Sequence, residues 1–197
     1  LVITLSSGLS GTIGAAETAK QICGYDKIAI VDSRQAIIAQ RMVVEYALSL
    51  RNQGMELNSI VKKLEELRDH ITVCGVVDTL TYLRKGGRIP AGMDIIGNVI
   101  GIKPVIVLED CVLKPLAKVR GRKAGKKMLY RRLEQVELDE RFPVYFGYSS
   151  NRKLGEEFMK ETIEKYHLKN AALFPVGGVI GTHVGTDCIA ISFVEKF

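Results

Sequence analysis

No apolar run in this chain approaches the roughly 18 residues that suggest a membrane span. No charged start followed by a short apolar core marks a secretion signal either. The four cysteines, Cys23, Cys74, Cys111 and Cys188, stand far apart with no CxxC pair among them, which speaks for reduced thiols rather than a disulfide framework or a zinc knuckle. The three histidines, His70, His167 and His183, are equally scattered, so no metal site is assigned. There is no P-loop lysine, no nucleophile elbow, no pair of carboxylates set up for acid and base work, no internal repeat and no low-complexity segment. A cytoplasmic location is the default expectation. Leu1 stands directly in an apolar strand, without initiator methionine or polar lead-in, so an N-terminal portion of the natural protein is expected to precede it.

What is present is an ordinary globular composition. The 197 residues are 47% hydrophobic, enough for a sizeable core in one large or two small domains. The spacing predicts a first strand, a turn, a helix over about 12–22 and a buried parallel strand at "KIAIVDS". Asp32 or Ser33 is then expected to cap a helix with Ile37, Ile38, Met42, Val43, Tyr46 and Leu50 on one face. A second helix follows with Ile60, Leu64 and Leu67 inward. After the buried strand "ITVCGVVDTL" come a basic glycine-rich turn, a short apolar helix at "DIIGNVIG" and an antiparallel hairpin joined at Glu109, Asp110 and Cys111. The last third reads as strand, amphipathic helix, strand, the loop "VIGTHVGTD" and a final strand. The order is α/β throughout, with a parallel-sheet part over 1–70 and a second α/β part with a mixed sheet over 71–197.

Four stretches carry candidate chemistry. In "SSGLSGT" a strand runs into serines and glycines and then a helix, where free amides and a positive helix end suit an anion. Ser6, Ser7, Ser10 and Thr12 add hydroxyls, and Gly8 and Gly11 are expected to allow positive φ and close approach. Anion binding and a structural capped turn stay level on this evidence. In "VIGTHVGTD", Thr182 and His183 lie between glycines, and the histidine suits a carboxylate donor, a general base or an idle surface loop. From Cys111 to Leu133 there are nine Lys or Arg and no acid; taking this +9 from the chain's +6 leaves the rest at −3. The charge is therefore a local patch, open to nucleic acid, an acidic protein partner, a membrane surface, a phosphate-bearing ligand or solvent alone. Finally, Arg84, Lys85 and Arg88 around Gly86 and Gly87 suit either closure over an anion or a charged helix end.

Taken in order, "ITLSSGLSGT", "VDSRQA", "DTLTYLRKGGRI", "GNVIGIKPVIVLEDCVLKPLAKVRGRKAGKK" and "PVGGVIGTHVGTD" resemble the DegV family of fatty-acid-binding proteins over essentially the whole chain. The resemblance implies a two-domain α/β fold, a Rossmann-like parallel-sheet domain lacking its N-terminal part here and a second domain with a mixed sheet. It implies a long-chain fatty acid as ligand, no cofactor and no catalytic apparatus of its own. A separate ATP-dependent fatty acid kinase subunit would convert the bound acid to an acyl phosphate for phospholipid synthesis. By the same resemblance the carboxylate lies at Ser6, Ser7, Ser10, Gly11, Thr182 and His183. The tail lies along Ile95, Ile96 and Ile100, with "MDIIGNVIGI" and "VCGVV" as tunnel walls. Arg88, Arg120, Arg122 and Lys123 then become a docking surface for the kinase rather than a nucleic-acid patch, with transient membrane contact as a further expectation. The alternatives are a phosphotransferase of related fold in which His183 acts chemically, and a nucleic-acid or regulatory protein using the basic patch.

Overall fold

The structure, a computed structural model, describes residues 1–89 and 101–197. The short helix expected at "DIIGNVIG" and the tail residues Ile95, Ile96 and Ile100 fall outside the described residues. Strand β1 (Val2–Thr4) leads through helix α1 (Thr12–Cys23) to β2 (Ile30–Asp32), and the two strands pair in parallel. The run "KIAIVDS" thus forms a strand of three residues rather than a fully buried one. In this two-stranded sheet Thr4 of β1 and Val31 of β2 are buried, and α1 has no buried residue.

Helices α2 (Ile37–Asn52) and α3 (Leu57–Arg68) follow as the apolar spacing requires. In α2 the buried stripe is Ile38, Ala39, Met42, Val43, Ala47 and Leu50, with Ile37 and Tyr46 half-buried at its rim. In α3 it is Ile60, Leu64 and Leu67. The expected cap on α2 is corrected: Ala36 takes the N-cap place in extended geometry, without a side-chain bond. Asp32 and Ser33 are spent one turn earlier, where Asp32 accepts from the Arg34 amide (2.8 Å) and Ser33 Oγ donates to the Gln35 carbonyl (3.2 Å). Short polar side chains bond the nearest backbone, and here that backbone is the loop.

The rest of the described chain builds a six-stranded sheet in the order β5-β4-β3-β8-β6-β7. Its members are β3 (Ile71–Val76), β4 (Ile102–Glu109), β5 (Val112–Arg120), β6 (Val144–Tyr148), β7 (Ala171–Pro175) and β8 (Ile189–Val194). Only β6 and β7 pair in parallel, so the sheet is mixed, as the order of elements predicts. Asp110 and Cys111 both take positive φ, 50° and 67°, the conformation that closes a two-residue hairpin with the right twist. Helices α5 (Arg122–Glu134) and α6 (Arg152–Tyr166) cover one face of the sheet, and α2 covers the other.

Alternation along β3 and β8 assigns the two cores. Val73, Ala190 and Val194 face α2, while Val76, Ile191 and Phe193 face α5 and α6. Both strands are buried on both faces, which is why their sequences read as unbroken apolar runs. Residues from 31 to 67 share one cluster with Leu108, Tyr145 and Ala190, so the first part of the chain lies directly on the second. Two short helices complete the framework, α4 (Thr81–Lys85) and α7 (Gly178–Val184), packed on each other. The second is a correction: "VIGTHV" is helical, not a loop, because Ile180 and Val184, one turn apart, face a common apolar cluster. Among the described residues no helix is long and apolar enough to cross a membrane.

Phe146 is fully enclosed and meets Phe158 edge to face, with ring centroids 5.4 Å apart. Phe146→Ala is expected to cost about 3–5 kcal/mol of unfolding free energy, read as a lowered urea midpoint with unchanged slope.

Candidate functional site

The opening turn is held from three sides. Ser6 is buried; its amide donates to the Gln35 carbonyl (2.8 Å) and its hydroxyl to the Cys111 carbonyl in the β4–β5 turn (2.8 Å). Ser7 is exposed, and its amide is shared between the two Asp32 carboxylate oxygens at 3.3 Å. Gly8 rests on the same Cys111 carbonyl so closely that a Cβ would overlap it. This changes the expected reason for the glycine: Gly8 and Gly11 both lie outside the positive-φ residues, and what Gly8 permits is contact with the hairpin. Gly11 precedes α1 and its carbonyl accepts the Ala15 amide (3.2 Å). Ser10 and Thr12 share a hydroxyl hydrogen bond of 2.8 Å, and the Thr12 amide donates to Ser10 Oγ (3.2 Å).

Beneath the turn lies a cavity of about 180 Å³. The sheet supplies its apolar wall through Val73, Ile106, Leu108 and Ala190, and α7 supplies Ile180 and Val184. Of the two stretches expected to wall a tunnel, "VCGVV" contributes Val73, Cys74 and Gly75. Apart from the thiols of Cys74 and Cys188, the polar side chains in the described lining are Ser10, Thr12, Arg88 and His183. They form one linked group. Arg88 Nε donates to the Leu9 carbonyl (3.0 Å), next to Ser10, and Arg88 Nη1 to the Gly86 carbonyl (2.5 Å). Gly86 in turn takes the His183 ring where its own side chain would stand.

His183 Nδ1 is buried against Gly86 with no hydrogen-bond partner among the described residues. Burial pushes the Cys74 and Cys188 thiols up to about 12, so both stay protonated and behave as small apolar groups.

From the expected carboxylate set Ser10 and His183 line the cavity; Gly11 and three others lie outside the lining. Ser6 is committed to Cys111, Ser7 lies outside the lining, and Thr182 is exposed with its hydroxyl donated back to the Val179 carbonyl (2.8 Å). The expected docking residues separate as well. Arg88 belongs to the cavity. Arg122 is an internal clasp, ion-paired to Asp78 (2.8 Å), which Lys103 also holds (2.7 Å), and donating to the Asp187 carbonyl (2.5 Å). Arg120 and Lys123 are exposed. The cluster of cations that includes Arg88 was visible in "RKGGR". The bond of Arg88 to Leu9 was not, since it joins residues 79 apart.

A larger groove, about 670 Å³, runs beside Glu137, Asp139, Arg141 and Lys196. Its charges neutralise each other: Asp139 pairs with Arg141, Glu137 with Lys196 and Glu140 with Lys169. The smaller cavity, apolar with one polar end, is the better place for a ligand.

The family model for the uncharacterised DegV proteins matches residues 1–196. The chain belongs to the DegV family. A DegV domain-containing protein of Clostridium perfringens is 32% identical over 200 residues, covering 98% of this chain and 69% of that protein. A solved DegV structure from Thermus thermophilus, described as showing fatty acid binding, superposes with a TM-score of 0.87 at 26% identity, covering 98% of this chain and 69% of that one. The Streptococcus pneumoniae Fatty Acid Kinase (Fak) B3 protein, solved loaded with linoleic acid, superposes with a TM-score of 0.88 at 20% identity, over 98% of this chain and 70% of that one. That last likeness is one of fold. The DegV fold thus accounts for the α/β order and the mixed sheet described above.

Two outcomes follow for this DegV chain. Gly8→Ala forces the turn off the hairpin and should cost about 1–3 kcal/mol, measured by denaturant unfolding. A thiol reagent at about pH 8 should label Cys23 and Cys111 in the native state and reach the buried Cys74 and Cys188 only on unfolding.

Proposed function

We propose that this DegV protein is a fatty acid carrier that holds a long-chain acid with its tail in the apolar cavity and its carboxylate at the polar end. The observation that carries this reading is the composition of the lining: hydrocarbon on the sheet side, and two hydroxyls, an imidazole and a guanidinium near the opening turn. Such a cavity fits an amphiphile with a long apolar chain and a small anionic head. Tail burial is worth about 0.8 kcal/mol per CH₂, so the tail dominates affinity while Ser10, Thr12 and His183 fix orientation. Gly11 and Ser7 belong to the same turn and frame the head, and Ile95, Ile96 and Ile100 are assigned to the tail by the family resemblance. The fatty acids bound by the solved relatives support the ligand class.

In this reading the protein performs no chemistry on its ligand. A separate ATP-dependent kinase subunit phosphorylates the carboxylate where it emerges beside the turn, and the exposed Arg120 and Lys123 offer that subunit a basic surface. The kinase association carried by the name of the pneumococcal relative, together with the resemblance in motif order, supports this partner. Uptake of the acid from a membrane surface by brief contact completes the cycle.

The test begins with native mass spectrometry of protein purified from bacteria, where an adduct of fatty acid mass is expected. Delipidated protein should then bind a long-chain acid, and His183→Ala should weaken that binding by about tenfold, the size of one lost charge-assisted hydrogen bond. Absence of both adduct and binding overturns the carrier reading; acyl phosphate formed from ATP by this chain alone overturns the division of labour with a kinase.

A further inference from the structure

Resting on the carrier reading, one residue goes further than that reading assigns. Arg88 is the single permanently charged side chain among the described residues lining the cavity, and no carboxylate of the described chain lines it. It makes no ion pair among the described residues. Its hydrogen bonds are to two carbonyls, Leu9 through Nε and Gly86 through Nη1. Those two bonds anchor the guanidinium at both ends, between the opening turn and the α4 corner that backs His183. The Nη2 group is left with no hydrogen bond among the described residues.

We propose that Arg88 is the charge-selecting residue of the cavity: it retains ligands with an anionic head and discriminates against uncharged amphiphiles of the same chain length. Two carbonyl partners satisfy its donors without neutralising its charge, so the positive field at the polar end stays available to a ligand. Holding the side chain in place beforehand removes the rotamer cost of binding, which for a long flexible cation is otherwise large. The hydroxyls of Ser10 and Thr12 can donate to or accept from a neutral alcohol as readily as they serve an acid. Charge preference therefore falls to the guanidinium. Because both anchoring bonds lie at the edge of solvent, the attraction is screened by salt.

The experiment measures competition by a long-chain saturated acid and by the alcohol of equal length against a fluorescent fatty acid probe on delipidated protein. Arg88→Gln keeps hydrogen-bonding capacity and removes the charge; it should lower affinity for the acid by tenfold or more and leave the alcohol within about twofold, the range of a hydrogen bond to a charged group. Arg88→Lys keeps the charge but cannot span both carbonyls, and should preserve most of the preference for the acid. In the wild-type protein, raising the salt concentration should weaken the acid and not the alcohol, a measurement that needs no variant to fold. Equal losses for acid and alcohol in Arg88→Gln, or a wild-type preference indifferent to salt, overturn charge selection and leave Arg88 a mechanical clamp. Failure of the wild-type protein to bind either ligand overturns the carrier reading itself, and this inference with it.

Discussion

Everything at the candidate site depends on one seam, the approach of the opening turn to the β4–β5 hairpin. A buried hydroxyl, Ser6, donates across it to the Cys111 carbonyl, and a glycine, Gly8, lets the two backbones touch. The hairpin side is equally constrained, since Asp110 and Cys111 hold positive φ and present that carbonyl inward. The seam sets the height of the turn over the sheet, and with it the position of Ser10 and the start of α1. It joins residues 105 apart in sequence, so the site forms only once the first and second parts of the chain are packed together.

The cavity then divides labour between surface area and charge. Apolar wall is supplied by strands buried on both faces, whose side chains are fixed by packing on α2 on one side of the sheet and α5 and α6 on the other. Such a wall rewards length of hydrocarbon and little else. The polar end is assembled from three segments distant in sequence: the opening turn, the corner after α4 and the helix α7. Each gives one kind of group, hydroxyl, guanidinium or imidazole, so in the proposed carrier the head of a ligand would meet polar groups from separate walls at once.

Much of this fold was readable in the chain. Continuous apolar runs marked β3 and β8, and the i, i+4, i+7 spacing of Ile60, Leu64 and Leu67 marked α3, because burial acts through periodicity that a sequence carries directly. What was not readable depended on distance in sequence or on competition between local bonds. Ser6 looked like its neighbours Ser7 and Ser10, and only the fold commits its hydroxyl to Cys111. Arg122 looked like part of a free basic run until Asp78 and the Asp187 carbonyl came within reach. The glycines around His183 suggested a loop, while packing on α4 and the adjoining apolar cluster outweighs their low helical propensity.

The contact between Gly86 and His183 has a meaning for protein engineering. The imidazole occupies the volume in which a side chain at position 86 would stand, so the two positions are one steric variable rather than two. A library that varies residue 183 alone explores half of the space available to it: a smaller residue there opens room that only a side chain at 86 would fill. Redesign of this corner of the cavity therefore starts from the pair, with strong non-additivity between the two sites as its signature.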